Sequence, residues 1–374
     1  MTILPSGGGA PIGIGLVGYG GIGRVHALCL QMLPLMYPDL PRARIVAVAS
    51  GGQVSAARAA AELGIDSVST DIDDLLRHPG VQIVDCCTPT DDHARVALAA
   101  LAAGKALLCE KPLASTGAEA QQIAALASAR GLTGGVNFHF RGAPALQEAR
   151  RFVASGALGE VVGFHLRYHR ASNVRRDRPV SWRMAGPGSG VLQDLGTHMI
   201  DLALWLLGPI ARVQTQLRTL IPERPGLDGK PQTITADDMA WLDLTLAGGG
   251  RGTIEVSKCV PGAADDVRVE AYGTRGALTF DSRSPNQLAL AEIDGGAGGR
   301  QIGTFSRTTP AASLPPPESS SGWIQWHAAS IAGFVAAYAA GAQPDADLAA
   351  GAAVQRVVDA AFAAAASGGW EAVS

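Results

Sequence analysis

The chain has 374 residues, 47% of them hydrophobic and 17% charged, with a formal net charge of −3. That length suits two domains, and the apolar content supplies large cores and excludes a disordered chain. The charge balance leaves no basic excess to neutralise phosphates, so nucleic-acid binding is not expected.

Met1 to Gly9 holds neither a basic nor an apolar region, so no signal peptide is expected. Strand-like and helix-like segments then alternate. Ile12 to Val17 is an apolar run ending in glycines, and Gly21 to Met32 reads as a helix. Ile45 to Ala49, Val81 to Cys87, Ala106 to Cys109 and Leu132 to Val136 read as further strands. Ser55 to Leu63, His93 to Ala103 and Ala118 to Arg130 read as the helices between them. Continuous apolar strands separated by helices imply a parallel sheet covered on both faces. That is the doubly wound α/β architecture.

The pattern changes after about Arg141. Ala145 to Ala154 reads as a helix leading into Val161 to Tyr168, where apolar and polar residues partly alternate. Ala240 to Leu246, Gly252 to Lys258, Val267 to Tyr272 and Ala277 to Phe280 also read as strands, joined by short Gly-rich turns. This predicts a mostly antiparallel open sheet, one face of which is free for solvent or another subunit. Residues 295–322 are rich in Gly, Pro and Ser and read as a long loop. Pro315 to Pro317 is a candidate partner contact within it, a plain surface loop being the simpler reading. Two Ala-rich helices, Ile324 to Ala340 and Leu348 to Ala366, follow. No apolar stretch reaches the ~20 residues of a membrane span, so no membrane partner is expected. Cys29, Cys86, Cys87, Cys109 and Cys259 lack zinc-ribbon or CxxC spacing and read as reduced core thiols of a cytoplasmic protein.

Gly18-Tyr19-Gly20-Gly21-Ile22-Gly23 fits GxGxxG and lies between a strand and a helix, the context a dinucleotide site requires. Gly18 permits the tight turn, Gly20 lets a pyrophosphate approach, and Gly23 lets helix and sheet pack closely. The helix start at Gly21 and Ile22 offers free N–H groups to phosphates. After the second strand an acid usually binds the ribose hydroxyls, but this chain has Ser50-Gly51-Gly52. A small hydroxyl leaves room for a 2′-phosphate. Arg58, two helical turns on, is either a contact to that phosphate or a solvated helix charge. The expected cofactor is NAD or NADP, with a lean toward NADP.

Glu110-Lys111-Pro112 follows a buried strand and so lies at the sheet edge where ligands bind in open α/β sheets. A Lys there can donate to a substrate hydroxyl or stabilise an alkoxide, a solvated surface Lys being the other reading. Asp194, His198 and Asp201 stand at i, i+4 and i+7, one face of a helix, in apolar surroundings. A His beside a carboxylate suits a general base, the carboxylate orienting the ring. A satisfied core histidine and a metal site are the competing readings.

Several motifs together carry a resemblance. They are the N-terminal glycines, Thr88-Pro89, His93, Ala103-Gly104-Lys105, Glu110-Lys111-Pro112, Ser181-Trp182-Arg183 and Asp194-Leu195-Gly196-Thr197-His198. The chain resembles the glucose–fructose oxidoreductase / inositol dehydrogenase (Gfo/Idh/MocA) family over nearly its whole length. The resemblance implies a Rossmann dinucleotide-binding domain over 1–140 and a C-terminal α/β domain over 141–374 for substrate binding and oligomerisation. It allows the C-terminal helices to pack back on the first domain. It implies a catalytic trio of Lys111, Asp194 and His198, no metal, and a homodimer or homotetramer. Asp201 is then structural, tied to a backbone or an Arg.

Thr88, Pro89 and Glu110 join the cofactor residues on this resemblance. His93 is either a cofactor contact or a structural helix start. Asn137 to Arg141 resembles the segment that passes under the nicotinamide, which makes Arg141 a candidate substrate contact. Trp182 and Arg183 belong to the active-site wall. His169 and Arg170, in the basic segment Arg167 to Arg178, are read as sugar or polyol contacts, or else as part of a solvated loop or a subunit contact. His26 and His327 read as packing. The activity implied is NAD(P)-dependent hydride transfer to or from a secondary alcohol of a sugar, sugar derivative or inositol. The alternatives are a redox-neutral sugar-modifying cycle with retained cofactor and a non-catalytic dinucleotide sensor.

Overall fold

A computed structural model describes residues 10–186, 188–295, 298–304, 310–314, 319 and 322–374. Pro315 to Pro317 lie outside the described residues.

The first sheet is built from β1 (Ile12–Val17), β2 (Ala43–Ala49), β3 (Val68–Ser69), β4 (Ile83–Cys86), β5 (Ala106–Cys109) and β6 (Gly134–Val136). The intervening helices are α1 (Gly21–Met36), α2 (Gln53–Leu63), α3 (Ile72–Arg77), α4 (Thr90–Ala102) and α5 (Gly117–Ala129). Strand order is β3-β2-β1-β4-β5-β6, and every pairing is parallel. Every residue of β1 is buried, as its unbroken apolar run requires of a strand covered on both faces. The order reverses between β1 and its neighbours β2 and β4, which opens a crevice at their C-terminal ends.

The second unit begins with α6 (Pro144–Ala154), β7 (Val161–His169) and α7 (Thr197–Leu207). It continues through β8 (Ile210–Arg218), the small hairpin β9 (Glu223–Pro225) and β10 (Pro231–Thr233), and β11 (Met239–Leu246). Next come β12 (Arg251–Ser257), β13 (Asp266–Gly273), β14 (Gly276–Asp281), β15 (Gln287–Glu292) and β16 (Arg300–Gly303). Then α8 (Trp323–Ala339), α9 (Leu348–Ser367) and β17 (Glu371–Ala372) follow. Nine strands run in the order β16-β15-β14-β13-β7-β12-β11-β8-β17, with β7 and β12 the parallel pair among antiparallel neighbours. Phe164, Leu166 and Tyr168 of β7 face the core, while His165, Arg167 and His169 face the other side.

The last two helices return to the first unit. Ala328, Ile331, Ala332 and Val335 of α8 share a core cluster with Ile14 of β1 and Leu30 and Leu33 of α1. α9 packs on α5, α7 and β8. By length and composition α9 is apolar enough to cross a bilayer, contrary to the expectation from sequence. Here that surface is core, with Ala352, Val354, Val357, Val358 and Ala361 buried. All five cysteines are free and buried, as their spacing predicts.

Several boundaries differ from the sequence reading. α1 runs through Pro34 to Met36 because Leu33 and Met36 still bury apolar surface. The short β3 and α3 lack the length for a readable period, and α3 is set by its cap, Asp71 accepting from the Asp73 N–H at 2.9 Å. β8 and β15 lie between the expected elements, and residues 300–303 of the expected loop form an edge strand.

Arg141, read as a candidate substrate contact, is a fold residue instead. Its guanidinium donates to both Asp201 carboxylate oxygens at 2.6–3.2 Å and to the Asp345 carbonyl at 2.7 Å. It thereby ties the end of the first sheet to α7 and to the segment before α9. Asp201 is 1% exposed, so removal of its partner leaves a buried, uncompensated carboxylate. Arg141→Met is expected to lose about 3–5 kcal/mol of stability, read from the urea midpoint. An unchanged midpoint contradicts this role.

Candidate active site

The crevice at the β1–β4 reversal is one end of a cleft of about 670 Å³ that reaches across to the second unit. At that end the backbone turns from β1 into α1. Gly18 has φ +92°, and a Cβ on it would meet the Cys87 carbonyl oxygen at 2.6 Å. A Cβ on Gly23 would meet the Gly18 carbonyl oxygen at 2.0 Å. Gly20 and Gly21 differ, since a Cβ there meets nothing within 4 Å. Their bareness serves the space outside the protein. α1 has no side-chain cap and no acid in its first turn, so its N–H groups and positive dipole end face the cleft. This cradle fits a pyrophosphate.

Ser50 and Ser55 line the same end and bond to each other at 2.7 Å. Arg58 is exposed and is not among the cleft-lining residues, so the reading of it as a phosphate contact is corrected in favour of a solvated helix charge. Thr88, Pro89 and His93 line the cleft beyond the glycines. His93 is buried, its ring nitrogens lying 2.7 Å from the Pro112 carbonyl and 3.0 Å from the Thr88 carbonyl. It pins the loops after β4 and β5 to each other.

Lys111 leaves β5 at the sheet edge and crosses to the second unit. Its Nζ donates to Asp194 Oδ1 at 2.7 Å and to the Asp194 carbonyl at 2.9 Å. Lys258, at the end of β12, donates to Asp194 Oδ2, and Arg183 Nε lies 3.5 Å from that oxygen. Burial disfavours a charged Asp194, but Lys111, Lys258 and Arg183 outweigh it and hold the carboxyl well below its ordinary range. Burial pushes Lys258 down, partly offset by Asp194.

The expected helix face of Asp194, His198 and Asp201 is modified. Leu192–Gly196 is a π-helical turn, and α7 starts at Thr197. The wider turn changes the angular step between Asp194 and His198. Asp237 holds this turn by accepting the Leu192 N–H at 2.8 Å. Asp194 bonds to the two lysines, and no described hydrogen bond joins it to His198. The reading that Asp194 orients the base ring by direct contact is therefore corrected. His198 packs edge-on to His139 at 4.9 Å and to Phe140 at 5.2 Å, and its Nδ1 is buried with no partner among the described residues. Burial and then Lys111 lower its pKa well below the ordinary value, against a smaller opposing effect of Asp194. The ring is neutral at pH 7.

Behind Lys111 lies a polar network that includes His26 and His327, both read from sequence as packing, and Glu110, read as a cofactor residue. His26 of α1 contacts Asp85 of β4 at 2.9 Å through Nδ1 and Glu110 at 3.1 Å through Nε2. Asn137 Nδ2 donates to Glu110 at 2.6 Å and lies 2.8 Å from His327 Nδ1. Burial opposes charge on His26, but Asp85 outweighs it and raises the pKa well above the ordinary value. Burial also opposes ionised Glu110, yet His26, then His327 and Lys111, bring its pKa down to about 2. His327 stacks on His139 at 4.2 Å. Burial keeps both of these rings neutral.

The other candidates divide. Arg170 and Trp182 line the cleft. His169 does not, its Nε2 facing Glu255 at 3.2 Å on the sheet's other side, which corrects its reading as a substrate contact. Strand alternation carries the reason: Tyr168 points inward and His169 outward. His139 and Tyr168, which fall in the two segments read as near the nicotinamide and the sugar, also line the cleft, whereas sequence reasoning missed Lys258. Its place next after Ile254 and Val256, on the inward row of an alternating strand, was the available signal for Lys258.

Residues 12–138 match the family described as "Oxidoreductase family, NAD-binding Rossmann fold", and residues 146–279 match "GFO/IDH/MocA C-terminal domain". The chain belongs to the GFO/IDH/MocA family. It is an oxidoreductase with an NAD-binding Rossmann domain. It is similar to levoglucosan dehydrogenase of Pseudarthrobacter phenanthrenivorans, 31% identical over 298 residues that cover 75% of this chain and 76% of that protein. A solved levoglucosan dehydrogenase in complex with NADH and L-sorbose matches with TM-score 0.91 and 30% identity, covering 97% of this chain and 99% of that one. The scyllo-inositol 2-dehydrogenase (NAD(+)) of Bacillus subtilis is 28% identical over 281 residues, 75% of this chain and 77% of that protein. In this chain the Gly-rich turn, Lys111 and the π-helical turn occupy one cleft.

The bareness of Gly20 yields a test. Gly20→Val leaves protein contacts intact while filling the cofactor's approach, so melting temperature is expected to hold and NADH affinity to fall about tenfold or more. Equal NADH affinity by fluorescence titration contradicts this placement.

Proposed function

We propose that the protein is a dehydrogenase that oxidises a secondary alcohol of a sugar, sugar derivative or inositol, or runs the reverse reduction. The observation that carries this reading is the convergence of Lys111, Asp194 and neutral His198 in the cleft that begins at the Gly-rich turn. The family relatives named for levoglucosan and scyllo-inositol support the same substrate class.

Gly18, Gly20, Gly21, Ile22 and Gly23 would hold the pyrophosphate, Ser50 and Ser55 the adenosine ribose, and Thr88 and Pro89 the nicotinamide end. When bound, the nicotinamide supplies the hydride acceptor or donor. The protein's own task is proton and charge control. Lys111 presents an ammonium to the reacting oxygen and stabilises its developing negative charge. His198 takes the hydroxyl proton, and its depressed pKa keeps it free to do so at neutral pH. Asp194 fixes the Lys111 ammonium through two hydrogen bonds and anchors Lys258 on its other oxygen. Glu110 balances charge behind Lys111.

For the cofactor we propose that NADP is accepted alongside NAD. No carboxylate stands at Ser50-Gly51-Gly52 to repel a 2′-phosphate, and Cβ atoms on Gly51 and Gly52 would meet nothing within 4 Å. α2 starts here with no side-chain cap, so its N-terminal N–H groups are available. Arg58 adds no direct contact, which limits the preference. Ser50→Asp is expected to cut kcat/KM for NADP at least ~tenfold while NAD turnover persists. Equal loss with both cofactors contradicts this account of the ribose site.

A histidine whose pKa is depressed is neutral above that lowered value and gains its proton only in more acid solution. The acid limb of kcat/KM is therefore expected below the ordinary histidine range near 6.5. Lys111→Met is expected to lower kcat by on the order of 10²–10³ at pH 7. A limb at or above 6.5, or a Lys111→Met rate near wild type, contradicts the assignment.

A further inference from the structure

The substrate end of the cleft carries an imbalance of charge. Asp194 is a single carboxylate, yet Lys111, Lys258 and Arg183 all lie within 3.5 Å of it. Lys258 is only 7% exposed, so water does little to screen its charge. The nearby acids offset part of this charge, Asp237 lying within electrostatic reach of Lys258. Asp237 accepts the Leu192 N–H, and Asp265 accepts from the Tyr168 hydroxyl and faces Arg170 at 3.6 Å. The network behind Lys111 adds one surplus carboxylate, Glu110, which is shared with His26 and Asn137.

The loop after β7 adds to the imbalance. Arg178 borders the cleft and donates to the Ser172 carbonyl and to Asn173 Oδ1, both uncharged. No carboxylate of the described residues lies within ion-pair distance of it. This loop is held in place from below. Arg224 of β9 is fully buried, and its guanidinium donates to the carbonyls of Asn173 and Arg175 at 2.7 and 2.6 Å. Asn173 in turn donates to Asp238 at 3.1 Å. A buried arginine anchoring a basic loop over a cleft presents that loop in a fixed position.

Lys258 shares the Asp194 carboxylate with two other cations, and Arg178 donates only to uncharged oxygens, so an anionic ligand supplies charge-assisted hydrogen bonds that these cations lack. We propose that the alcohol substrate is anionic: a polyol or sugar bearing a carboxylate or a phosphate monoester, which Lys258 and Arg178 receive while Lys111 and His198 act on a ring hydroxyl. This deepens the dehydrogenase reading and rests on it for the reacting hydroxyl. The anion site itself stands on the charge geometry.

Three probes share one pyranose ring and differ at C6: D-glucuronate, D-glucose 6-phosphate and D-glucose. Calorimetric titration of each into the protein saturated with NADH reads the anion site without turnover. One charged ring is expected to bind about tenfold or more tightly than D-glucose at low salt, with the ratio shrinking as salt rises. The tighter of the two identifies carboxylate or phosphate as the source. Lys258→Met is expected to bring the ratio toward one. If that variant does not fold, Arg178→Ala on the exposed loop carries the same test, with a loss of about threefold or more in the ratio. D-Glucose binding as tightly as both charged rings, or no binding of either at millimolar concentration, overturns the proposal. Formation of reduced nicotinamide with the same probes is followed separately. Charge-selective binding without turnover counts against the dehydrogenase reading and leaves the anion site standing. Turnover of a neutral sugar without charge selectivity does the reverse.

Discussion

The Asp194 carboxylate between Lys111 and Lys258 is the contact on which the rest of the active site depends. Lys111 comes from the edge of the parallel sheet, Asp194 from the π-helical turn before α7, and Lys258 from the end of β12. Three separate elements meet at one charged group. Removing Asp194 leaves two largely buried ammonium groups facing each other without their shared carboxylate, which costs more than either pair contributes. The arrangement sets the distance between the two units and fixes the ammonium that polarises the substrate oxygen. Asp194 is thus a positioning residue for Lys111, and His198 works from a separate, apolar wall.

That wall explains the electrostatics of the base. His198 sits among His139, Phe140 and Tyr168, where burial disfavours a second positive charge beside Lys111. A few ångströms behind, the opposite logic holds. His26 is flanked by Asp85 and Glu110 and carries its charge in full burial. One fold therefore holds histidines in both states, and the neighbouring carboxylates decide which. The Asp85–His26–Glu110 row also bonds β4, α1 and β5 through side chains, just where Lys111 leaves the sheet.

The parallel sheet was legible because its strands are unbroken apolar runs and its first turn needs glycine at Gly18 and Gly23 for steric reasons. The positions of Lys111, Asp194 and His198 were legible from short motifs. Their connections were not. An i, i+4 spacing assumes 3.6 residues per turn, and the π-helical turn at Leu192–Gly196 breaks that assumption without a composition signal. Lys258 and Arg224 are buried cations whose roles depend on partners far along the chain, and single-sequence patterns do not reveal such pairings. Arg141 and His169 failed as substrate contacts for different reasons. One finds Asp201 60 residues away, and the other is turned outward by strand alternation. α8 and α9 read correctly as helices, and their return to the first unit was suggested only by the family resemblance, since their Ala-rich faces do not mark α1 and α5 as partners.

The most direct test of the central claim is label transfer. The protein is incubated with oxidised cofactor and polyols or sugars deuterated at carbon, and the recovered reduced cofactor is weighed by mass spectrometry. One deuterium per reduced nicotinamide is expected from an active substrate, and none from the His198→Ala protein on the same timescale. Reduced cofactor without deuterium, or equal labelling by both proteins, contradicts that claim.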